Sequence, residues 1–177
     1  ILARHSVKIR NAGVFLPSIT PTVNKTAVRE QILVQLREEF ALQTRAALLS
    51  RDEAISEESR PENQYDMHSQ EAAYLAEGQA RLAAEIAESI ERYEALALSD
   101  QGASDPVAVG TLVRVGHGSK QSWYYIGPRG GGRDVQIDGV DVLVLTPQAP
   151  LGRELLGKKV GDPVRLPGAG AKTVARI

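Results

Sequence analysis

The sequence contains no cysteine. This absence excludes disulfides and thiolate metal sites. There is also no run of about 18 apolar residues, so no membrane span is predicted. The first eight residues have neither a methionine nor the continuous apolar stretch of a signal peptide. We therefore expect a cytoplasmic protein.

Aromatic residues are scarce as well, at 5% of the chain, whereas apolar residues reach 42% and charged residues 24%. These last two values are those of a soluble globular protein. A chain of 177 residues can form one ordinary domain or two small ones, and the sequence favours two. Few aromatics and abundant Ala, Leu and Glu in the middle of the chain are typical of a long helical hairpin.

The first helix is predicted to begin near Asn24 or Thr26, either of which can cap it. Residues 1–24 show no defensible periodicity, and we interpret them as an extension of unknown structure. Residues 25–98 are interpreted as an antiparallel coiled coil. The predicted contact seam of its first helix consists of apolar residues spaced by sevens, namely Leu33, Phe40, Ala47 and Ala54, together with Leu36, which falls three residues after Leu33.

The second helix is predicted from an apolar stripe that includes Leu75, Leu82 and Ile86. Pro61 suits its first turn, and Ser59 is its expected cap. Two helices of about 30 residues give a rod on the order of 40 to 50 Å long. The acidic stretch from Glu57 to Asp66 then becomes the exposed tip of the hairpin.

Residues 99–106 are polar and rich in turn formers, and we interpret them as a linker. Beyond them, residues 107–177 alternate in the manner of strands, separated by Gly and Pro turns. The fold class is therefore predicted as α+β, a helical hairpin followed by a small, mainly β domain. A short helix is expected over Leu151–Leu156, ended by Gly157, and strands over Val109–Val115, Trp123–Ile126, Val140–Leu145, Val164–Leu166 and Thr173–Ile177.

Charge is distributed unevenly along the chain. Residues 1–51 carry eight Lys or Arg against three acids, residues 52–100 carry three against thirteen, and residues 101–177 carry ten against six. Such polarity steers a protein towards a charged partner. It is equally consistent with two hairpin helices that pair by opposite charge.

The tip acids are the first candidate for chemistry, with Glu58, Glu62 and Asp66 as the residues of interest. Carboxylates at the end of a rod cannot supply the six oxygens that Mg²⁺ requires. They can complete a metal site that belongs to another macromolecule. The alternative is that they only stabilise the amino-terminal end of a helix dipole.

Other motifs carry weaker signals. Gly127–Arg133 is rich in glycine, but no Lys-Ser/Thr pair follows, so a mobile β-hairpin loop is expected there rather than a phosphate loop. His68 and His117 lack ligand spacing for zinc. Arrangements of Ser-His-Asp or Cys-His type cannot be proposed from these residues.

The C-terminal stretch Val144–Asp162 reads Val-Leu-Thr-Pro-Gln-Ala-Pro-Leu-Gly-Arg-Glu-Leu-Leu-Gly-Lys-Lys-Val-Gly-Asp. It resembles the C-terminal signature of the bacterial GreA/GreB transcription-elongation factors. Pro61–Tyr65 resembles the tip motif of the same family. The resemblance covers roughly residues 26–177, and it implies a coiled coil followed by an FKBP-like β domain, in the order predicted above.

The resemblance also implies a function. Such factors bind the rim of the RNA polymerase secondary channel through the C-terminal domain and push the coiled coil down the channel. The tip helps to hold the second Mg²⁺ of the polymerase and its water, so that the polymerase itself cleaves a backtracked transcript. The chain would thus be an accessory factor and not an enzyme, with Mg²⁺ supplied by the polymerase and nascent RNA met indirectly.

Carried across residue by residue, the resemblance puts the tip glutamate on Glu62 and the tip asparagine on Asn63, with Glu58 and Asp66 as further tip acids. The first tip aspartate of the family falls on Ser59. A serine hydroxyl is a poor Mg²⁺ ligand compared with a carboxylate. Pro61 also replaces a basic residue. These departures predict that cleavage stimulation is weakened or absent.

Three functions follow as hypotheses: an elongation factor that stimulates cleavage, a non-catalytic regulator that occupies the secondary channel, and a coiled-coil interaction module unrelated to polymerase. For polymerase binding, Arg29 and Arg37 are expected at the hairpin base. The signature positions expected to shape or present the contact surface are Leu151, Gly152, Leu155, Leu156 and Gly157. For the leucines, a role in the core is the alternative.

Overall fold

The structure is a computed structural model that describes residues 23–56, 68–99, 102, 104–117, 120–165 and 172–176. Within these residues, three helices and six strands follow one another. In the described part of the chain, no helix is long and apolar enough to cross a membrane. The elements are α1 (Lys25–Ile55), α2 (His68–Glu94), β1 (Leu112–His117), β2 (Lys120–Ile126), β3 (Asp134–Ile137), β4 (Val140–Leu145), α3 (Pro150–Leu155), β5 (Pro163–Val164) and β6 (Lys172–Arg176).

Helices α1 and α2 form an antiparallel hairpin. Asn24 caps α1, since its side chain accepts a 2.8 Å hydrogen bond from the amide of Thr26. Arg37 pairs with Glu94 at 2.7 Å, and farther out Ser50 Oγ donates to Gln79 Oε1 at 3.2 Å. The residue numbers of the α1 partners increase from 37 to 50 while those of the α2 partners decrease from 94 to 79, which confirms the antiparallel arrangement.

The contact seam of α1 differs from the predicted one by one position. Phe40 is 36% exposed, although the heptad reading put it in the seam. Leu36 is buried as predicted, whereas buried Ser50 and half-buried Gln43, each a multiple of seven residues from Leu36, were not predicted. The prediction of Phe40 was wrong because a seam that includes polar residues cannot be recognised by apolar spacing alone.

The β domain is a six-stranded sheet with the order β3-β4-β2-β1-β6-β5. Strands β2 and β4 run parallel, and the other neighbouring pairs are antiparallel. Strand β3 was not predicted, because its four residues between polar turns give too short a pattern. It joins β4 through Asp138 and Gly139, whose φ values of 50° and 78° suit a tight two-residue turn.

The sequence located the remaining strands with shifted ends. Val109 and Gly110 lie in a turn, where Gly110 has φ 91°, so β1 begins at Leu112 and extends to His117. Strand β5 is limited to Pro163–Val164, and the predicted helix of the C-terminal motif is α3. The caps predicted for α2, Ser59 and Pro61, lie outside the described residues.

Two apolar cores cover the two faces of the sheet. The first joins the hairpin base to the sheet, so that Ile32, Leu36 and Tyr93 pack with Tyr125 and Val144. The second lies on the other face, where Leu155 of α3 packs with Val113 and Ile126. The sheet is therefore sandwiched between the hairpin base and α3. The predicted class, an α+β fold with a helical hairpin followed by a small, mainly β domain, is confirmed.

Candidate functional site

The distal end of the hairpin is the first candidate site. All the tip residues on which sequence reasoning relied, Glu58, Ser59, Glu62, Asn63 and Asp66, lie outside the described residues. The structure describes the two helix ends next to the tip, where His68 Nε2 of α2 lies 3.1 Å from Glu53 Oε1 of α1. This contact joins the end of α1 to the start of α2. The predicted role of the tip residues is therefore not tested, although the two helix ends that flank them are in contact.

The opposite end of the hairpin is fixed to the sheet through Tyr93. The side chain of Tyr93 is fully buried, and its hydroxyl donates a 2.8 Å hydrogen bond to the carbonyl oxygen of Arg129. A Cβ atom at Gly127 would lie only 2.1 Å from the Tyr93 hydroxyl, so glycine is required for this approach. Burial raises the pKa of Tyr93, which stays a hydrogen-bond donor at neutral pH.

Two ion pairs reinforce this junction. Arg133 lies 2.8 Å from Glu39 on α1, and Arg129 lies 2.9 Å from Glu88 on α2. The hydrogen bond that Glu88 accepts from Arg92, together with the charge of Arg129, holds the pKa of Glu88 below its ordinary value. Exposed ion pairs contribute little to stability, so their main effect is on orientation.

The glycine-rich segment Gly127–Arg133 was predicted to be a mobile β-hairpin loop, and the hairpin part of that prediction was wrong. It connects β2 to β3, which are not neighbours in the sheet, because β4 lies between them. The segment crosses over to the sheet edge, and both of its arginines reach the helical hairpin. Sequence reasoning missed this role because a Gly-rich run carries no signal of the element it packs against.

A cleft of about 600 Å³ lies between the hairpin base and the sheet. It is open to solvent, and its walls mix charge with apolar surface. Leu82 and Ile86 of α2 form one side, while Arg129 and Arg133 form another. The cleft marks where the covered part of the hairpin ends and the free part begins.

Arg29 and Arg37, predicted as basic contacts, both engage their own chain. Arg29 Nη1 donates to the carbonyl of Leu96 at 3.4 Å and its Nη2 pairs with Glu30, whereas Arg37 pairs with Glu94. The Arg37 side chain is 53% exposed and that of Arg29 only 22%. Arg37 is thus the more accessible of the two for a partner.

The C-terminal motif folds as α3 and the turn after it. Leu155 is fully buried in the second core, while Leu151 and Leu156 pack against that core and keep an exposed part. A Cβ at Gly152 would lie 2.0 Å from the carbonyl oxygen of Thr146. The motif therefore requires glycine at this position to bring α3 against the end of β4.

Gly157 ends the motif in a left-handed conformation, with φ 77°. Its amide donates to the carbonyl of Val107 at 2.8 Å, and the amide of Val107 donates to Lys158 at 2.8 Å. These two bonds tie the start of the β domain to the end of the motif. Buried Leu155 can shape a contact surface but not present itself to a partner, and only Leu151 and Leu156 offer surface.

The described residues contain no candidate metal-binding site. Within residues 23–56, 68–99, 102, 104–117, 120–165 and 172–176, no group of three His, Asp or Glu side chains is arranged to hold an ion. The tip carboxylates are not among these residues. The expectation that Mg²⁺ is supplied by a polymerase thus stays a prediction.

Solved structures that are similar to this chain include the following three. The GreA factor homolog 1 (Gfh1) of Thermus thermophilus is 17% identical, with 84% of this chain and 91% of that chain covered and a TM-score of 0.34. The Gfh1 of Thermus aquaticus is 19% identical, with 85% and 93% covered and a TM-score of 0.32. A third structure, of "the transcription factor Gfh1", is 15% identical, with 84% and 90% covered and a TM-score of 0.31.

No family model matches the chain, and no curated protein matches it either.

Proposed function

We propose that this chain is a Gre-like transcription factor that binds RNA polymerase and places its helical hairpin in the secondary channel. The observation that carries the proposal is the reach of the hairpin. The ion pair between Glu39 and Arg133 marks the contact of the sheet with α1, and α1 continues from there to Ile55. At 1.5 Å per residue this free part is about 24 Å long.

The attachment of the hairpin also supports the proposal. A probe that delivers its tip to a distant site has to be stiff and fixed to the domain that binds the rim. Here one apolar core joins α1 and α2 to the sheet, and Tyr93 lies fully buried within it. A hairpin held in this way transmits the position of the β domain to the tip.

The chemistry of the tip belongs to the same proposal and rests on the sequence. Glu62, with Glu58, Asn63 and Asp66, would help to hold the second Mg²⁺ of the polymerase, and the polymerase would cleave the transcript. The chain would bind no metal of its own with useful affinity. Nascent RNA would be met only at the active centre of the polymerase.

Ser59 favours a second candidate function. It stands where the family has a tip aspartate, and its neutral hydroxyl binds Mg²⁺ poorly. In this alternative the chain occupies the channel and regulates the polymerase without stimulating cleavage. The two functions share the binding mode and differ only in what happens at the tip.

Binding is tested with the purified core RNA polymerase of the same organism by analytical ultracentrifugation with labelled chain. We expect a one-to-one complex that is lost when the polymerase channel is occupied by a competitor. Failure of the intact chain to bind would leave only an interaction module unrelated to polymerase.

Cleavage is tested on a stalled, backtracked complex with wild type, Glu62→Ala and Ser59→Asp. Glu77→Ala, an exposed carboxylate on the hairpin shaft, is the matched control. If the tip assists catalysis, Glu62→Ala lowers the rate at least tenfold and Glu77→Ala leaves it unchanged. Activity that appears only in Ser59→Asp would establish the non-catalytic regulator as the natural state.

A further inference from the structure

Half-buried arginines in the described part of the chain have a carboxylate partner with one exception. Three of them form an ion pair within the chain: Arg29 with Glu30, Arg129 with Glu88 and Arg133 with Glu39. The exception is Arg114 in β1, which has neither an ion pair nor a hydrogen bond to a described residue. Because a charged group that is taken partly out of water without a counter-charge costs free energy, a bound anion would stabilise Arg114.

The guanidinium of Arg114 is held against Trp123, its neighbour on β2. The Cζ atom of Arg114 lies 5.5 Å from the centre of the Trp123 ring, and the two residues are opposite each other in the sheet. The Nε atom of Arg114 is buried without a hydrogen-bond partner, whereas its Nη atoms are not fully buried. The ring therefore fixes the guanidinium and leaves the Nη donors for an acceptor from outside the chain.

A second arginine lies on the other side of β1. The register of β1 with β6 places Arg176 opposite Arg114. Residues opposite each other in an antiparallel pair share a face of the sheet, with Cβ atoms about 5 Å apart, and like charges at such positions are destabilising. Trp123, Arg114 and Arg176 thus follow one another across β2, β1 and β6, and we call them the arginine row. An anion bound to this row would offset the repulsion between its two cations.

The rows next to the arginine row on these three strands contain no charged residue. Since side chains alternate along a strand, one neighbouring row contains Leu112 and Tyr125, and the other contains Gly116 with Gln121 on β2 and Thr173 on β6. The positive charge that these strands contribute to this face is therefore confined to one row. Gly116 also adds no side chain beside it. Such a row has the size of a site for a single anionic group.

Phosphate is the anion that fits this row best. A guanidinium can donate two parallel hydrogen bonds to the oxygens of a phosphate or a carboxylate. Two arginines match the charge of about −1.5 to −2 that a phosphate monoester carries at neutral pH, whereas a carboxylate carries a single negative charge. A nucleic-acid strand binds through several phosphates in succession and requires further cations, which the neutral neighbouring rows do not supply.

We propose that the arginine row is a binding site for the phosphate group of a small-molecule ligand. Arg114 and Arg176 would donate hydrogen bonds to the phosphate oxygens, and Trp123 would hold Arg114 in position. This inference does not depend on the proposed function, because it concerns the β domain alone and requires no polymerase.

The test uses inorganic phosphate and the full chain at pH 7.5, with the ionic strength held constant by sodium chloride. Trp123 is the only tryptophan of the chain, so its fluorescence reports on the arginine row. We expect a saturable change of that fluorescence as phosphate is added. Absence of saturable binding would overturn the proposal.

Variants are compared by equilibrium dialysis with radiolabelled phosphate, because substitution of Arg114 also alters the fluorescence of Trp123. Arg114→Gln and Arg176→Gln should each lower the affinity by about tenfold or more. Arg45→Gln is the matched control, because it removes the same charge from an exposed position on the hairpin. It should change the affinity less than twofold, and urea denaturation verifies that the variants are folded. An equal loss in all three variants would refute a localised site.

Three further probes identify the class of ligand. Adenosine monophosphate should bind at least as tightly as inorganic phosphate, and acetate about tenfold more weakly or less. Acetate that binds as well as phosphate would contradict the assignment of a phosphate site. The third probe is a 12-nucleotide RNA without a terminal phosphate. If it bound about tenfold more tightly than adenosine monophosphate and lost this affinity in Arg114→Gln, the row would belong to a nucleic-acid surface and the small-molecule proposal would be wrong.

Discussion

Tyr93 at the end of α2 donates its hydroxyl to the carbonyl oxygen of Arg129 at 2.8 Å, across the junction between the helical hairpin and the sheet. Replacing Tyr93 by Phe removes this bond and leaves the ring in place. We expect the free energy of unfolding to fall by about 1 kcal/mol. Urea denaturation measures it, with Tyr74→Phe as the control, because Tyr74 is 72% exposed. An unchanged midpoint in Tyr93→Phe would contradict the assigned bond.

Tyr125 is buried beside the same junction, but replacing it by Phe is expected to change the free energy of unfolding in the opposite direction. Its ring is fully buried, and its hydroxyl has no hydrogen-bond partner among the described residues. A buried hydroxyl without a partner costs on the order of 1 to 3 kcal/mol. Tyr125→Phe is therefore expected to stabilise the protein at neutral pH by about 1 kcal/mol. A loss of stability in the same urea assay would mean that the hydroxyl is bonded.

The same residue gives a prediction for alkaline pH. Burial raises the pKa of Tyr125 from 10.0 to about 12, so the folded state holds the phenolic proton more tightly than the unfolded state. This contribution to stability is complete below pH 10 and is lost as the pH rises through about 12. Between these values the stability of the wild type should fall relative to Tyr125→Phe by about 1.4 kcal/mol per pH unit.

Denaturation curves at pH 9, 10 and 11 for the two proteins check this prediction. Titrating lysines cancel in the difference, since both proteins contain them. Tyr74→Phe again serves as the control and should show no such pH-dependent difference. Parallel pH profiles for wild type and Tyr125→Phe would show that Tyr125 titrates normally.

Replacing Gly152 and Gly78 by alanine should change the stability of the protein in opposite directions. Gly152→Ala places a Cβ 2.0 Å from the Thr146 carbonyl oxygen, and because backbone cannot yield cheaply we expect a loss of at least about 2 kcal/mol. Gly78 lies within α2 with no atom within 4 Å of the added carbon, so Gly78→Ala should gain up to about 1 kcal/mol from helix propensity. Thermal unfolding of both variants measures the two shifts, and shifts of equal sign would refute the packing at Gly152.

Alanine substitutions distinguish the leucines of the C-terminal motif that stabilise the core from those that could contact a partner. Leu155→Ala removes a fully buried side chain and should cost about 2 to 5 kcal/mol. Leu151→Ala removes a half-buried one and should cost less. If Leu151 presents surface to a polymerase, its replacement weakens binding more than it lowers stability. Sedimentation with polymerase and urea denaturation, run on both variants, give the two quantities.

The sequence predicted the hairpin because its signals are local. A capping Asn24, long apolar stripes and a polar linker after α2 each follow from neighbouring residues. The exact seam was less accessible, since Gln43 and Ser50 contribute to it while Phe40 does not. Polar seam residues are satisfied only by the partner helix, as Ser50 is by Gln79, and no local pattern reveals that.

The junction between hairpin and sheet could not be predicted at all. It depends on pairs far apart in sequence, such as Glu39 with Arg133 and Tyr93 with Arg129. Arginines in a Gly-rich segment read as solvated side chains until their partners are known. The C-terminal motif is easier to interpret from the sequence, because the closely spaced Gly152, Leu155 and Gly157 each have an identifiable packing or turn requirement. Their part in polymerase binding stays a prediction.

The long separation of these contacts has a consequence for biosynthesis. Gln35 on α1 bonds to the carbonyl of Asp134, which is translated 99 residues later. On the ribosome, the apolar core that Val28, Ile32 and Leu36 share with α2 thus stays incomplete until the strands that close it have emerged. A nascent chain in that state offers an apolar helix face to chaperones. Completion of the sheet, rather than formation of the hairpin, would then release the protein from them.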